Sequence, residues 1–140
     1  MLDKTDAVAT VAVKNLESAK GFYERTLGLT KLMENELMVS FKTGGSKLFV
    51  YRSPYAGSSK ATVVTWVTDE VEDIVKTLQD RGVSFEHYDL PDMTREGDLH
   101  VAGSMKAAWF KDPGGNILCV VTPSQTAAQQ PAAASSRATV

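Results

Sequence analysis

The segment TVAVKNLESAKGFYERTLGL, Thr10 to Leu29, has a second copy of its plan beginning at Val63, VVTWVTDEVEDIVKTLQDRGV, and any fold of this chain must accommodate the repeat. In the first copy Val11 and Val13 alternate, as a strand with one buried face requires. Asn15 follows as a good N-cap, because its side-chain oxygen can accept a free amide of the first helical turn. Leu16, Ala19, Phe22, Tyr23 and Leu27 recur at three- and four-residue steps, which makes one apolar helix face, and Gly28 can take the left-handed conformation that ends it. In the second copy Val63, Thr65 and Val67 alternate, Asp69 caps with Glu72 three residues on, Val71, Ile74, Val75 and Leu78 form the stripe, and Gly82 closes. Cap and glycine stand 13 residues apart in both copies, and the copies are offset by 54 residues. That period is too long for a solenoid repeat and too short for two independent domains, so the chain reads as one domain built of two similar halves.

With 140 residues and 43% hydrophobic content, such a domain can bury one sizeable core without disulfides or metal staples. A net charge of −2 and a pI near 5.7 offer no broad basic surface for nucleic acid or anionic lipid. The N-terminus lacks a basic region followed by an apolar one, and no apolar run approaches the ~20 residues of a bilayer span. A cytoplasmic protein without nucleic-acid or membrane partners is the expectation. The single cysteine, Cys119, cannot form an internal disulfide, which fits a reducing compartment.

Taken in order, the first half (about 7–52) has a strand at Val8 to Val13, a helix to Leu27, a strand at Thr30 to Met33, and a hairpin of Leu37 to Phe41 with Lys47 to Tyr51 turned by Gly44-Gly45. Residues 53–60, with Pro54, Gly57 and three serines, read as a linker. The second half (about 61–123) runs strand Thr62 to Val67, helix Asp69 to Arg81 and strand Val83 to Tyr88. An irregular stretch, Asp89 to Gly103, follows as a loop at the rim of a site. Met105 to Phe110 and Asn116 to Thr122 close it as a hairpin turned by Asp112-Pro113-Gly114-Gly115. Residues 124–140 are Ala-, Ser- and Gln-rich and are expected to be disordered.

Strand, helix and three strands, twice over, resembles the vicinal oxygen chelate superfamily of glyoxalases, bleomycin resistance proteins and extradiol dioxygenases. VAVKNLESAKGFYERTLGL is similar to the family's opening, and AAWFKDPGGNILCVV to its closing strand, DP-G-N turn and last strand. The resemblance covers about residues 7 to 123 and implies an α+β fold: two tandem βαβββ modules forming a curved mixed sheet around a cleft. In metal-binding members it implies a divalent ion held by one residue from each of four strands. Those positions fall on Val8, Phe49, Thr62 and Cys119, none of which keeps the family's His or acid. Val and Phe offer no lone pair, a Thr hydroxyl is a poor ligand, and one thiolate cannot complete a site. No metal and no cofactor are therefore expected. A replacement cluster of His87, Asp89 and His100 competes with the plainer reading of two solvated histidines beside a loop.

Strand residues alternate between faces. If Val8, Phe49, Thr62 and Cys119 face the hollow of the sheet, Thr10, Tyr51, Trp66 and Ile117 should share it, and Val11, Val13, Leu48, Val50, Val63 and Val67 should lie under the helices. With Trp109 from the closing hairpin, the hollow becomes an aromatic wall with a few hydroxyls, suited to a small, flat, partly aromatic organic molecule oriented by Tyr51, Thr10 or Thr62. A closed hollow filled by the same aromatics is the competing reading, and the ligand cleft is the one preferred. Cys119, in the apolar run Ile117 to Val121, reads as a packed hydrophobe rather than a nucleophile.

The function expected is metal-free binding, similar in kind to sequestration by bleomycin resistance proteins. One alternative is an enzyme of the same fold, a lyase, isomerase or dioxygenase, or one using Tyr51, Asp89 or His100 as a general base; the other is a structural protein with a filled hollow. Poorly covered strand edges, and the habit of superfamily members of this size, lead to the expectation of a homodimer.

Overall fold

In the computed structural model, which describes residues 1–123, Asn15 caps the first helix: Oδ1 accepts the Ser18 amide at 3.0 Å, and α1 runs Leu16–Gly21. The chain keeps coiling over Phe22–Thr26 in a wider π turn, with the Leu27 amide donating to the Phe22 carbonyl at 2.9 Å, where the spacing predicts a uniform helix to Leu27. This turn carries two adjacent rings inward, Tyr23 against Phe41 and Phe22 against Phe110. Gly28 and Gly82 end the helical segments at φ +76° and +87°. The second helix, α2 (Val71–Asp80), starts differently from the expected Asp69 cap. Glu70 precedes it without a side-chain cap, and the Thr68 hydroxyl accepts the Glu70 amide at 3.1 Å, so a local Thr turn one residue earlier takes the place of the capping box.

Strands β1 (Ala9–Val13), β2 (Thr30–Glu34), β3 (Met38–Thr43) and β4 (Ser46–Arg52) form one sheet in the order β1-β4-β3-β2, with β1 parallel to β4 and the other pairs antiparallel. The second sheet joins β5 (Thr62–Val67), β6 (Phe85–Glu86), β7 (Thr94–Glu96), β8 (Leu99–Ala102), β9 (Met105–Lys111) and β10 (Ile117–Val121). Its order is β5-β10-β9-β8-β7, with β6 also paired to β9. Each half is thus strand, helix and three strands: an α+β fold of two βαβββ modules, the second carrying an inserted hairpin.

That hairpin replaces the irregular loop expected over Asp89 to Gly103. β6 stops at Glu86 instead of reaching Tyr88, because β8 takes over the edge of β9 from Ala107 onward and the Tyr88 amide turns to the His100 ring, Nε2, at 2.9 Å. Residues 124–140, for which disorder is expected, lie outside the described residues.

One apolar cluster joins both modules, with Val11, Val13, Phe41, Leu48 and Val50 from the first and Val71, Leu78, Phe110, Leu118 and Val120 from the second. Burying each large side chain contributes ~1.5–3 kcal/mol. β1 and β5 meet at the seam between the sheets. Across it Asp112 forms the main polar tie. This buried carboxyl accepts from the Gly114 and Asn116 amides at 2.9 Å, from the Tyr23 hydroxyl at 2.8 Å and from Asn116 Nδ2 at 2.8 Å, and Asn116 Nδ2 also reaches the Ala12 carbonyl at 2.8 Å. Arg81 adds bonds to the Arg25 and Thr26 carbonyls at 3.3 and 2.7 Å.

Candidate functional site

Cross-strand partners share a face, so the ladders define the hollow, the sheet face turned away from the helices. In module one Thr10, Phe49 and Ser40 form one row, and Ala12, Tyr51 and Met38 the next. Thr10 is exposed with its hydroxyl donating to the Val8 carbonyl at 3.1 Å, Phe49 is half-buried, and Tyr51 is 39% exposed. Three of the expected ligand-binding residues therefore lie side by side on an open surface.

In module two the corresponding surface is closed by its own side chains. Cys119 stands between Thr65 and Trp109, and His100 lies opposite Ala107 one row away. Trp109 Nε1 donates to Thr62 Oγ1 at 3.1 Å. The His100 ring meets Trp109 edge-on at 4.9 Å, and Tyr88 meets Trp109 at 5.5 Å. Burial pushes the Cys119 thiol up to about 12, so it remains a protonated, unreactive thiol at neutral pH.

His100, read from sequence as solvated, is only 1% exposed, and burial lowers its pKa below the ordinary histidine value, partly offset by the Ala107 and Tyr88 backbones. Its Nε2 accepts the Tyr88 amide, so the neutral ring carries its proton on Nδ1 and has no free lone pair for general-base work. The alternation of Leu99 and Val101 around it, closed by Gly103, was the available sign of a strand. His87 pairs instead with Asp98 at 2.7 Å, a bond that holds the Asp98 carboxyl below the usual range, with Gln79 contributing second.

Trp66 does not join the hollow. A bulge between Ile117 and Leu118 shifts the β5 register, pairing Ile117 with Thr62 but Leu118 with Val64. Beyond it Val64 and Trp66 share the core face with Leu118 and Val120, while Thr65 and Val67 turn to the hollow. Val67, expected under the helices, is 63% exposed. Trp66 packs against the core and donates to Thr43 Oγ1 at 2.9 Å. It also walls a cleft of about 310 Å³ at the seam, shared with Ala9, Gly44, Lys47, Thr65 and Val67. A second groove of about 390 Å³, between Phe22 and Lys111, is spanned by the Arg81 strut.

The four family metal positions do not fit an ion. Val8 and Phe49 offer only carbon, the Thr62 oxygen already accepts from Trp109, and the Cys119 thiol holds its proton. Among the described residues no group of three or more His, Cys, Asp or Glu side chains is placed to hold a metal. Protein purified without chelator should carry well under one equivalent of Zn, Ni, Fe or Mn by elemental analysis and keep its melting temperature in EDTA; a stoichiometric ion lost to EDTA would contradict this reading of the donors.

Two modules around a hollow define the class, and the comparison with known families agrees with it. The chain belongs to the Glyoxalase/Bleomycin resistance protein/Dioxygenase superfamily, whose family model matches residues 6–120. Among solved structures it is similar to a lactoylglutathione lyase from Agrobacterium tumefaciens (TM-score 0.64, 17% identity, covering 85% of this chain and 93% of that one). It is also similar to a glyoxalase/bleomycin resistance protein/dioxygenase from Alicyclobacillus acidocaldarius (0.66, 16%, 85% and 91%) and a glyoxalase family protein from Enterococcus faecalis (0.64, 20%, 86% and 99%). At these identities the likeness carries the fold alone. A search of curated protein sequences gives no significant match. No helix among the described residues is long and apolar enough to cross a membrane.

Proposed function

We propose that the chain binds a small, partly aromatic organic molecule on the hollow face of module one and acts by holding it, without a metal ion. The observation that carries this is the asymmetry between the halves: Thr10, Phe49 and Tyr51 form an open aromatic and hydroxyl surface, while Tyr88, His100, Trp109 and Cys119 occupy the equivalent space in module two. Apolar walls with a few placed polar groups suit such ligands. The unfit donor set and the engaged lone pair of His100 weigh against the enzyme readings. A filled hollow describes module two, where Thr62 and Trp109 serve each other.

Tyr51→Ala should weaken binding of an aromatic probe about tenfold in equilibrium dialysis, in line with the ~1–1.5 kcal/mol of an aromatic contact, and leave the melting temperature within a degree or two. Unchanged binding would place the ligand elsewhere.

We further propose a homodimer. β2 is exposed along its whole length, and Leu32, Met33 and Leu37 are among the large apolar side chains left uncovered there. Light scattering at micromolar concentration should give twice the 15.2 kDa chain mass; a monomer would refute this, and loss of the dimer in a chain ending at Thr122 would assign the pairing to the segment after it.

A further inference from the structure

Lys42 and Lys47 stand directly opposite each other across β3 and β4, and both point into the hollow. Like charges in that register repel. No ion pair among the described residues engages either one; the pairs there involve other lysines, His87 and the N-terminus. Strands β1, β3 and β4 contain no Asp or Glu, so the hollow face they build carries positive charge without compensation, although the chain as a whole has a net charge of −2. The lysine row adjoins the row of Ser40, Phe49 and Thr10.

We infer that the molecule taken by this face is an organic anion: a planar aromatic carboxylate whose ring lies against Phe49 and Tyr51 and whose carboxylate sits between Lys42 and Lys47. This rests on the binding reading above and adds the ligand's charge to it. A carboxylate relieves the repulsion between the two ammonium groups and gains charge-assisted hydrogen bonds from both. The same field rejects organic cations. Positive charge concentrated at one end of the hollow also orients the ligand, carboxylate toward the Gly44 turn and ring toward Tyr51.

The test uses 2-naphthoate and its neutral counterpart 2-naphthamide as probes, with the full chain in equilibrium dialysis at low salt. Naphthoate should bind about tenfold more tightly than naphthamide, the scale of one hydrogen bond to a charged group. The double variant Lys42→Gln/Lys47→Gln should bring the two to equal affinity, and Lys42→Arg/Lys47→Arg should keep the preference. Equal affinities in the unmodified chain would overturn the anion inference while leaving the binding reading intact. A naphthoate preference that survives the Gln pair would overturn it by placing the charge elsewhere. Failure of both probes to bind would remove the binding reading and this inference with it.

Discussion

Asp112→Ala lowers the stability of the folded chain by ~3–5 kcal/mol, a large share of the ~5–15 kcal/mol that holds a typical domain together. The carboxyl is 4% exposed and takes two backbone amides of its own turn, the Tyr23 hydroxyl and the Asn116 amide group. Truncation leaves several buried donors facing a methyl group, and it is the stranded donors, more than the bonds lost, that set the size of the effect. Tyr23 remains a donor throughout, because burial raises its pKa above the ordinary tyrosine value and Asp112 raises it further. Urea denaturation of Asp112→Ala, Tyr23→Phe and the double variant provides the check. Tyr23→Phe alone should cost about 1–2 kcal/mol, and the double variant should fall short of the sum because the two groups share one bond. A loss under 1 kcal/mol for Asp112→Ala would mean that the backbone alone holds the closing turn.

Trp66→Ala has the second-largest expected effect, a loss of about 2–4 kcal/mol, somewhat below the usual value for a fully buried aromatic because part of the indole borders the seam cleft. The indole packs against the common core, and Nε1 ties β5 of module two to the end of β3 in module one through Thr43. Trp66→Phe should keep most of the packing and lose about 1 kcal/mol with the hydrogen bond. Thermal unfolding of the two variants distinguishes this from a purely ligand-facing residue. If Trp66→Ala melted with the unmodified chain, the indole would have to lie free on the hollow side and the β5 register would be wrong.

The repeat, both glycine stops, the Asn15 cap, the Gly44 hairpin and the Asp112 turn were legible in the sequence because each depends on residues within a few positions of one another. Periodicity likewise assigned Val11, Val13, Leu48 and Val50 to the core. It also placed Thr10, Phe49 and Tyr51 on one face, because β1 and β4 pair without interruption. The mismatch of Val8, Phe49, Thr62 and Cys119 with metal chemistry followed from residue type.

What tertiary structure decided was register and company. Strand alternation transmits a face assignment only while pairing is unbroken, and the bulge opposite Ile117 and Leu118 moved Trp66 from the hollow to the core, a change set by how β5 fits β10 some fifty residues away. His100 reads as a solvated loop residue until β8 docks on β9 and the Tyr88 amide finds its ring. Local chemistry along the chain determined which elements form and where they stop; the fit between distant strands determined which half of the hollow stayed open, because burial is a property of neighbours that no single segment contains.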